Sequence, residues 1–246
     1  MSATASSTAT VHRSRLLDAL PWVEYQFMPA GARPPEDAAY GHQRHSATVL
    51  SSQQAFPAKS CEGDAVIATD DRPVAVYTAD CLPMLIVDRH QRRVAAAHGG
   101  LRGVTAGIHI NVLNKLCEMG AVPDSLLLII GPAIGPCCYE LGQQVITDMQ
   151  QQPALAPLRD ALPWSPQQPT NRLARRPQAV AQQSGVWFDL PALAQRMAEA
   201  WGLASENVEQ LSVCTYCAAE EHASYRRNTH FDGGYQQRYS WIRRVD

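Results

Sequence analysis

Residues 78–103 read TADCLPMLIVDRHQRRVAAAHGGLRG. Two short apolar runs, Met84–Asp88 and Val94–Ala97, flank a polar stretch, at the length and spacing of two strands. Cys81 stands beside Asp80 where the first run begins, and Pro83 is expected to end the local ladder. The second run delivers His98, followed at once by two glycines and the start of a helical pattern. A strand end, a histidine, Gly99-Gly100 and a helix N-terminus together suit a ligand site. Glycines let backbone N–H groups approach an anion, the helix dipole favours it, and Arg102 adds a positive charge.

Outward from this stretch the pattern stays mixed. Ser46–Ser51, Asp64–Thr69 and Val74–Thr78 are short apolar runs upstream. Downstream, Val104, Ile108, Val112, Leu116 and Met119 recur at steps of three or four and predict one amphipathic helix ending at Gly120. Leu126–Ile130 reads as a buried strand, and the Gly/Pro-rich 131–136 as an irregular turn. A helix is expected over Glu140–Gln152. Residues 150–184 read as an irregular excursion, either a partly helical insertion or a lid. Asp189 is placed to cap a helix running to Trp201, with Gly202 at its end, and Val208–Val213 and Arg238–Arg243 are candidate strands. No GxGxxG or Walker A motif follows a strand, so a mixed-sheet α+β domain is expected and not a Rossmann fold.

The chain has 246 residues, 46% hydrophobic and 18% charged, with a net charge of −2. That is enough chain for a buried core. No apolar run is long enough for a membrane span, and the near-neutral charge argues against a dedicated nucleic-acid partner. Residues 1–15, MSATASSTATVHRSR, lack the apolar core of a secretory leader and read as a disordered tail, with a single domain over 16–246. Seven cysteines are an odd number for a secreted disulfide framework, so a reducing, cytoplasmic setting is expected.

His45, Cys81 and His98 offer two imidazoles and one thiolate, the donor set for a zinc ion with one open position. Their sequence separations are long, so spacing alone does not bring them together. Cys214-Thr-Tyr-Cys217 is a single CxxC; the vicinal Cys137-Cys138 is a poor second half for a zinc knuckle, and a structural, redox, zinc-binding or substrate-contact role stays open. Arg226 and Arg227 follow Tyr225 as surface charges or a phosphate fork.

TADCLPMLIVD (78–88), VAAAHGGLRG (94–103), IIGPAIGPCCYELG (129–142) and CTYC with SYRRN (214–228) occur in that order. They resemble the YfiH-like family, also labelled laccase-domain or multicopper polyphenol oxidase, over roughly residues 41–243. The resemblance implies a four-layer α/β/β/α fold with mixed sheets, similar to the catalytic domain of cytotoxic necrotizing factor. It implies a His–Cys–His zinc centre on His45, Cys81 and His98, with His42 as the fallback for His45. It also implies purine nucleoside phosphorolysis acting on adenosine, inosine or methylthioadenosine, with possible adenosine deamination; small-molecule nucleoside and phosphate are then the partners.

Asp80 is expected to orient a metal ligand, and Arg102 or Arg226 to bind phosphate. Copper is the less favoured metal: the eight histidines include no HxH pair, which a conventional laccase requires. Two alternatives stay open: a Cys81–His98 hydrolase editing peptidoglycan precursors, and a non-catalytic binding module. The sequence departs from the family pattern at Gly99 and Leu101, where the family usually has Ala and Trp, and lacks its N-terminal Thr-Arg-x-Gly-Gly and Asn-Leu segments. A divergent member with a shortened N-terminal region is therefore expected.

Overall fold

The computed structural model describes residues 12–220 and 222–246. In chain order the elements are α1 (Arg15–Asp18), β1 (Val23–Phe27), β2 (Val49–Ser51), β3 (Ala65–Ile67), β4 (Val74–Thr78), β5 (Leu82–Asp88), β6 (Arg93–Gly99), α2 (Leu101–Thr105), α3 (Ile108–Glu118), β7 (Leu126–Ile130), β8 (Glu140–Leu141), α4 (Gln143–Gln150), β9 (Trp164–Ser165), β10 (Val186–Phe188), α5 (Leu190–Trp201), β11 (Val208–Gln210), α6 (Tyr225–Phe231) and β12 (Arg238–Arg244).

A six-stranded mixed sheet, ordered β11-β7-β5-β6-β3-β2, forms the centre. Its outer pairs, β11–β7 and β2–β3, are parallel; the inner pairs are antiparallel. Alternation along β5 sends Met84 and Ile86 to one face and Leu85 and Val87 to the other. On the first face they pack with α3 and α5 through Leu113, Leu116, Leu193 and Met197. On the second they meet Phe27, Val76 and Ile242 of a three-stranded antiparallel sheet, β1-β12-β4. Both faces of β5 are therefore covered, which is why its sequence is apolar without a polar alternation.

The expected mixed α+β fold is present, with one correction. The outer face of the three-stranded sheet, at Ala75 and Trp241, packs against Ala38, Met28 and Tyr40. These lie in an irregular segment and not in a helix, so the described residues show helix, sheet and sheet without the fourth, helical layer on that face.

Local chemistry explains where elements differ from expectation. The helix expected over 104–119 is two, because Gly107 adopts φ +79° between α2 and α3. Gly120, at φ +97°, stops α3 as expected. The helix expected from Glu140 starts only at Gln143, because Glu140 and Leu141 pair with Trp187 and Val186 of β10. Asp189 caps α5 as expected, its side chain accepting the Ala192 N–H at 2.9 Å. The excursion over 150–184 carries 3₁₀ turns at Pro153–Ala161 and the strand β9, and it buries Leu155 and Leu162 in the core. Of the tail expected over 1–15, residues 1–11 lie outside the described residues. Residues 12–15 belong to the fold: His12 bridges Phe27, and Ser14 caps α1 while donating to Glu209 Oε2 at 2.7 Å.

Candidate metal centre

The β5–β6 hairpin brings Cys81 and His98 together. Its register pairs Leu82 with Gly99 and Pro83 with His98, so the ladder runs through Pro83 instead of ending there, and the residue before β5 lies beside the end of β6. On the other side of β6, Ala97 faces Ala65 of β3, which sets Asp64 next to His98; the His98 N–H donates to the Asp64 carbonyl at 2.7 Å. His45 enters from the turn before β2, in the left-handed region at φ +59°, which histidine tolerates better than most residues. Three chain segments thus converge at one end of the central sheet.

The donor atoms of His45, Cys81 and His98 lie within 4.8 Å of one another. Cys81 Sγ is 3.6 Å from His45 Nε2, and the two imidazole rings are 4.8 Å apart, edge to face. Zinc–nitrogen and zinc–sulfur bonds of ~2.05 and ~2.3 Å in a tetrahedron place N and S ~3.6 Å apart. The site therefore fits a tetrahedral metal with three protein donors and a fourth position free. His98 is buried, Cys81 half-buried and His45 exposed, so the site opens on the His45 side.

Asp64 organises the site, and sequence reasoning passed over it. Its carboxylate pairs with His98 Nδ1 at 2.8 Å, which leaves Nε2 of that ring for a metal. It also accepts from the backbone N–H of Arg44, His45 and Ser46 at 3.0, 2.9 and 2.8 Å and from Ser46 Oγ at 2.6 Å, fixing the turn that carries His45. Burial would raise the Asp64 pKa, but the hydrogen bonds from His98, Ser46 and Arg44 outweigh it and hold the carboxyl well below the usual range. Burial and the neighbouring His98 lower the pKa of His45, which favours the neutral ring a metal needs. Burial, followed by the charges of Asp80 and Asp64, pushes the Cys81 thiol up to about 12. The only sequence signal for Asp64 is an acidic residue immediately before a buried strand.

The two glycines after His98 stand in closely packed places. A Cβ on Gly100 would stand 2.3 Å from His45 Cδ2 and 3.1 Å from Cys81 Sγ. A Cβ on Gly99 would meet Met84 Cε at 2.7 Å and Val104 Cγ2 at 2.9 Å. Those two side chains fill the space of the alanine methyl usual in the resembling family.

One expected role changes, that of Asp80. Asp80 makes no hydrogen bond to the three donors; buried, at φ +88°, it accepts from Thr215 Oγ1 at 2.6 Å, Ser224 Oγ at 3.0 Å and the Arg226 N–H at 2.6 Å. It joins the Cys81 turn to the C-terminal segment, and burial raises its pKa against those hydrogen bonds. α2 has only five residues, too few for a useful dipole, so any phosphate role there falls to exposed Arg102 itself, close enough to depress His45. Arg226 reaches Glu140 O at 2.9 Å and lies over the Tyr139 ring at 5.2 Å. His42 bridges Glu62 and is not among the clustered donors.

Elsewhere, the structure joins what spacing kept apart. Cys137, Cys138, Cys214 and Cys217 are buried with their sulfurs within 4.8 Å of one another. A cavity of about 260 Å³ beside them is lined in part by Gly135, Cys137, Asn171 and Cys214 and does not include the His45 site.

The profile of the family described as multi-copper polyphenol oxidoreductase laccase matches residues 26–243. The chain belongs to that family. Among curated relatives of this laccase-domain member, a purine nucleoside phosphorylase of Pseudomonas aeruginosa is 41% identical over 104 residues, 42% of this chain and 40% of the relative. One of Clostridium acetobutylicum is 32% identical over 117 residues, 47% of this chain and 49% of the relative. The chain thus spans less than half the length of these curated relatives. The crystal structure of YlmD from Geobacillus stearothermophilus superposes with a TM-score of 0.67 at 27% identity, covering 87% of this chain and 75% of that one. A Bacillus licheniformis protein named YfiH superposes at 0.66 and 21% identity, covering 86% and 75%, a likeness of fold. No helix among the described residues is long and apolar enough to cross a membrane.

Proposed function

We propose that this chain is a zinc-dependent purine nucleoside phosphorylase. The observation that carries the proposal is the convergence of His45, Cys81 and His98 at the spacing of a tetrahedral centre with one free position. The names of the curated relatives support the reaction class. In that reaction a phosphate oxygen bonds to the anomeric carbon, the N-glycosidic bond breaks, and the purine leaves with a proton. The products are free base and pentose 1-phosphate.

A bound zinc supplies Lewis acidity on the open side of the three donors. The chain's own residues do the rest. Asp64 holds His98 in one tautomer and fixes the His45 turn. Arg102 and Arg226 supply the positive charge for phosphate, and Asp80 sets the C-terminal segment that carries Arg226. Adenosine, inosine and methylthioadenosine are the proposed substrates. Adenosine deamination is a proposed side activity, in keeping with a relative named adenosine deaminase, 37% identical over 73 residues. A cytoplasmic setting would keep all seven free thiols reduced.

The hydrolase alternative has weaker support. The neighbour within reach of Cys81 Sγ is His45, not His98, and a thiol pushed up to about 12 is a poor nucleophile without a cation. The test is purified protein incubated with inosine or adenosine, with and without phosphate. Base release that requires phosphate supports the proposal; base release that ignores phosphate contradicts it.

A further inference from the structure

We propose that Cys137, Cys138, Cys214 and Cys217 bind a second zinc ion, a structural one, separate from the His45–Cys81–His98 centre. The four sulfurs are buried and lie within 4.8 Å of one another, although the two pairs stand about 80 residues apart in sequence. Cys137 Sγ and Cys217 Sγ are 3.8 Å apart. Four sulfurs at ~2.3 Å around a tetrahedral zinc are separated by ~3.8 Å along each edge. A disulfide would need ~2.05 Å.

The backbone is built to deliver them. β7 and β11 are parallel neighbours, and both chains leave the sheet at the same end. The ladder continues past the strands: Ala133 pairs with Cys214, its N–H donating to Val213 O at 3.1 Å and its carbonyl accepting from Thr215 N at 2.9 Å. The Gly/Pro-rich turn then folds back, so that a Cβ on Gly135 would crowd Cys214 Cβ at 3.3 Å and touch Cys137 Sγ at 3.6 Å.

N–H groups point at three of the four sulfurs. Gly135 N reaches Cys214 Sγ at 3.3 Å, Asn171 Nδ2 reaches Cys217 Sγ at 3.2 Å, and Ala179 N reaches Cys138 Sγ at 3.5 Å. Such donors stabilise thiolates, and an all-sulfur tetrahedral donor set selects zinc over harder ions.

The site would fasten two parts of the molecule. Asn171 and Ala179 belong to the long excursion, and the N–H groups of Arg175 and Arg176 donate to Cys217 O at 2.8 and 3.0 Å. Thr215, between the two cysteines of the CxxC, donates to Asp80 beside Cys81. The second ion thereby anchors the excursion and, through Thr215 and Asp80, steadies the turn that carries Cys81.

The test is metal analysis of the 246-residue chain carrying Cys81→Ala, in which the first centre is disabled. One zinc per chain is expected to remain. Adding Cys214→Ser and Cys217→Ser is expected to remove it. Because those substitutions can also impair folding, the same Cys81→Ala protein is examined by thiol labelling and cobalt exchange. Cys61 and Cys117 are expected to react readily, and the other four at least ten-fold more slowly until a chelator is added. Cobalt exchange is expected to give intense thiolate-to-metal charge-transfer absorption. A metal-free Cys81→Ala chain with all six thiols equally reactive, a Cys137–Cys217 disulfide on peptide mapping, or iron in place of zinc would overturn the assignment.

Discussion

Gly100→Ala is the sharpest perturbation of the proposed metal centre. Gly100 has φ −72° and ψ 168°, a conformation open to any residue, so the substitution imposes no backbone strain. The new methyl would stand 2.3 Å from His45 Cδ2, where ordinary contact begins at 3.4 Å. The imidazole must therefore retreat by about 1.1 Å, whereas a zinc ligand tolerates about ±0.2 Å. His45 cannot absorb this along the chain, because its amide and those of its two neighbours are bound to Asp64.

The expected result of Gly100→Ala is a loss of metal affinity of at least ~100-fold, about 2.8 kcal/mol. Folding stability should change little, since Gly→Ala at a compatible position gains ~0.4–1 kcal/mol through the unfolded chain and offsets local crowding. The assay is competition with a chromophoric chelator, with Cys81→Ala as the blank and thermal unfolding as the control for folding. Wild-type affinity at the three-donor site in Gly100→Ala would refute the geometry.

Two further outcomes follow from the buried polar groups. Asp64→Asn keeps the shape but removes the charge that holds His98 and the His45 turn; a ~10–100-fold loss of metal affinity is expected by the same competition assay. His109 is fully buried, with Nε2 3.1 Å from Ala194 O, and desolvation lowers its pKa from 6.5 to about 4. Its folded pKa lies below its unfolded value, so the unfolded chain binds more protons between these values. The stability linked to the neutral ring is present above pH 6.5 and is lost as pH falls toward 4. Between pH 7 and 5 the loss is about 2 kcal/mol. Urea unfolding at both pH values should show it, and His109→Met should lack that part of the slope.

Much of this architecture was legible in short runs of residues. The β5–β6 hairpin, β7 and α5 with its Asp189 cap follow from run length, period and capping chemistry. The break at Gly107 was less visible, because the apolar period continues across it while the backbone does not. The small strands β8, β9 and β10 carry too few residues for periodicity to show. Cys81 and His98 could be singled out from their places at strand ends. Their union with His45 depends on sheet register, which resemblance supplied and local pattern did not. Asp64 and the four-cysteine cluster were hidden for the same reason: each is made by pairing distant strands. The partners of Asp80 do not follow from its adjacency to Cys81, because its side chain bonds Thr215 and Ser224 of the distant C-terminal segment.

The most direct test of the central claim is the phosphate dependence of purine release, measured for zinc-replete wild type and Cys81→Ser. The account predicts equal amounts of free base and pentose 1-phosphate from the wild type, only when phosphate is present, and a loss of at least ~100-fold in Cys81→Ser. No phosphate-dependent release by the wild type, or equal release by the two proteins, would contradict it.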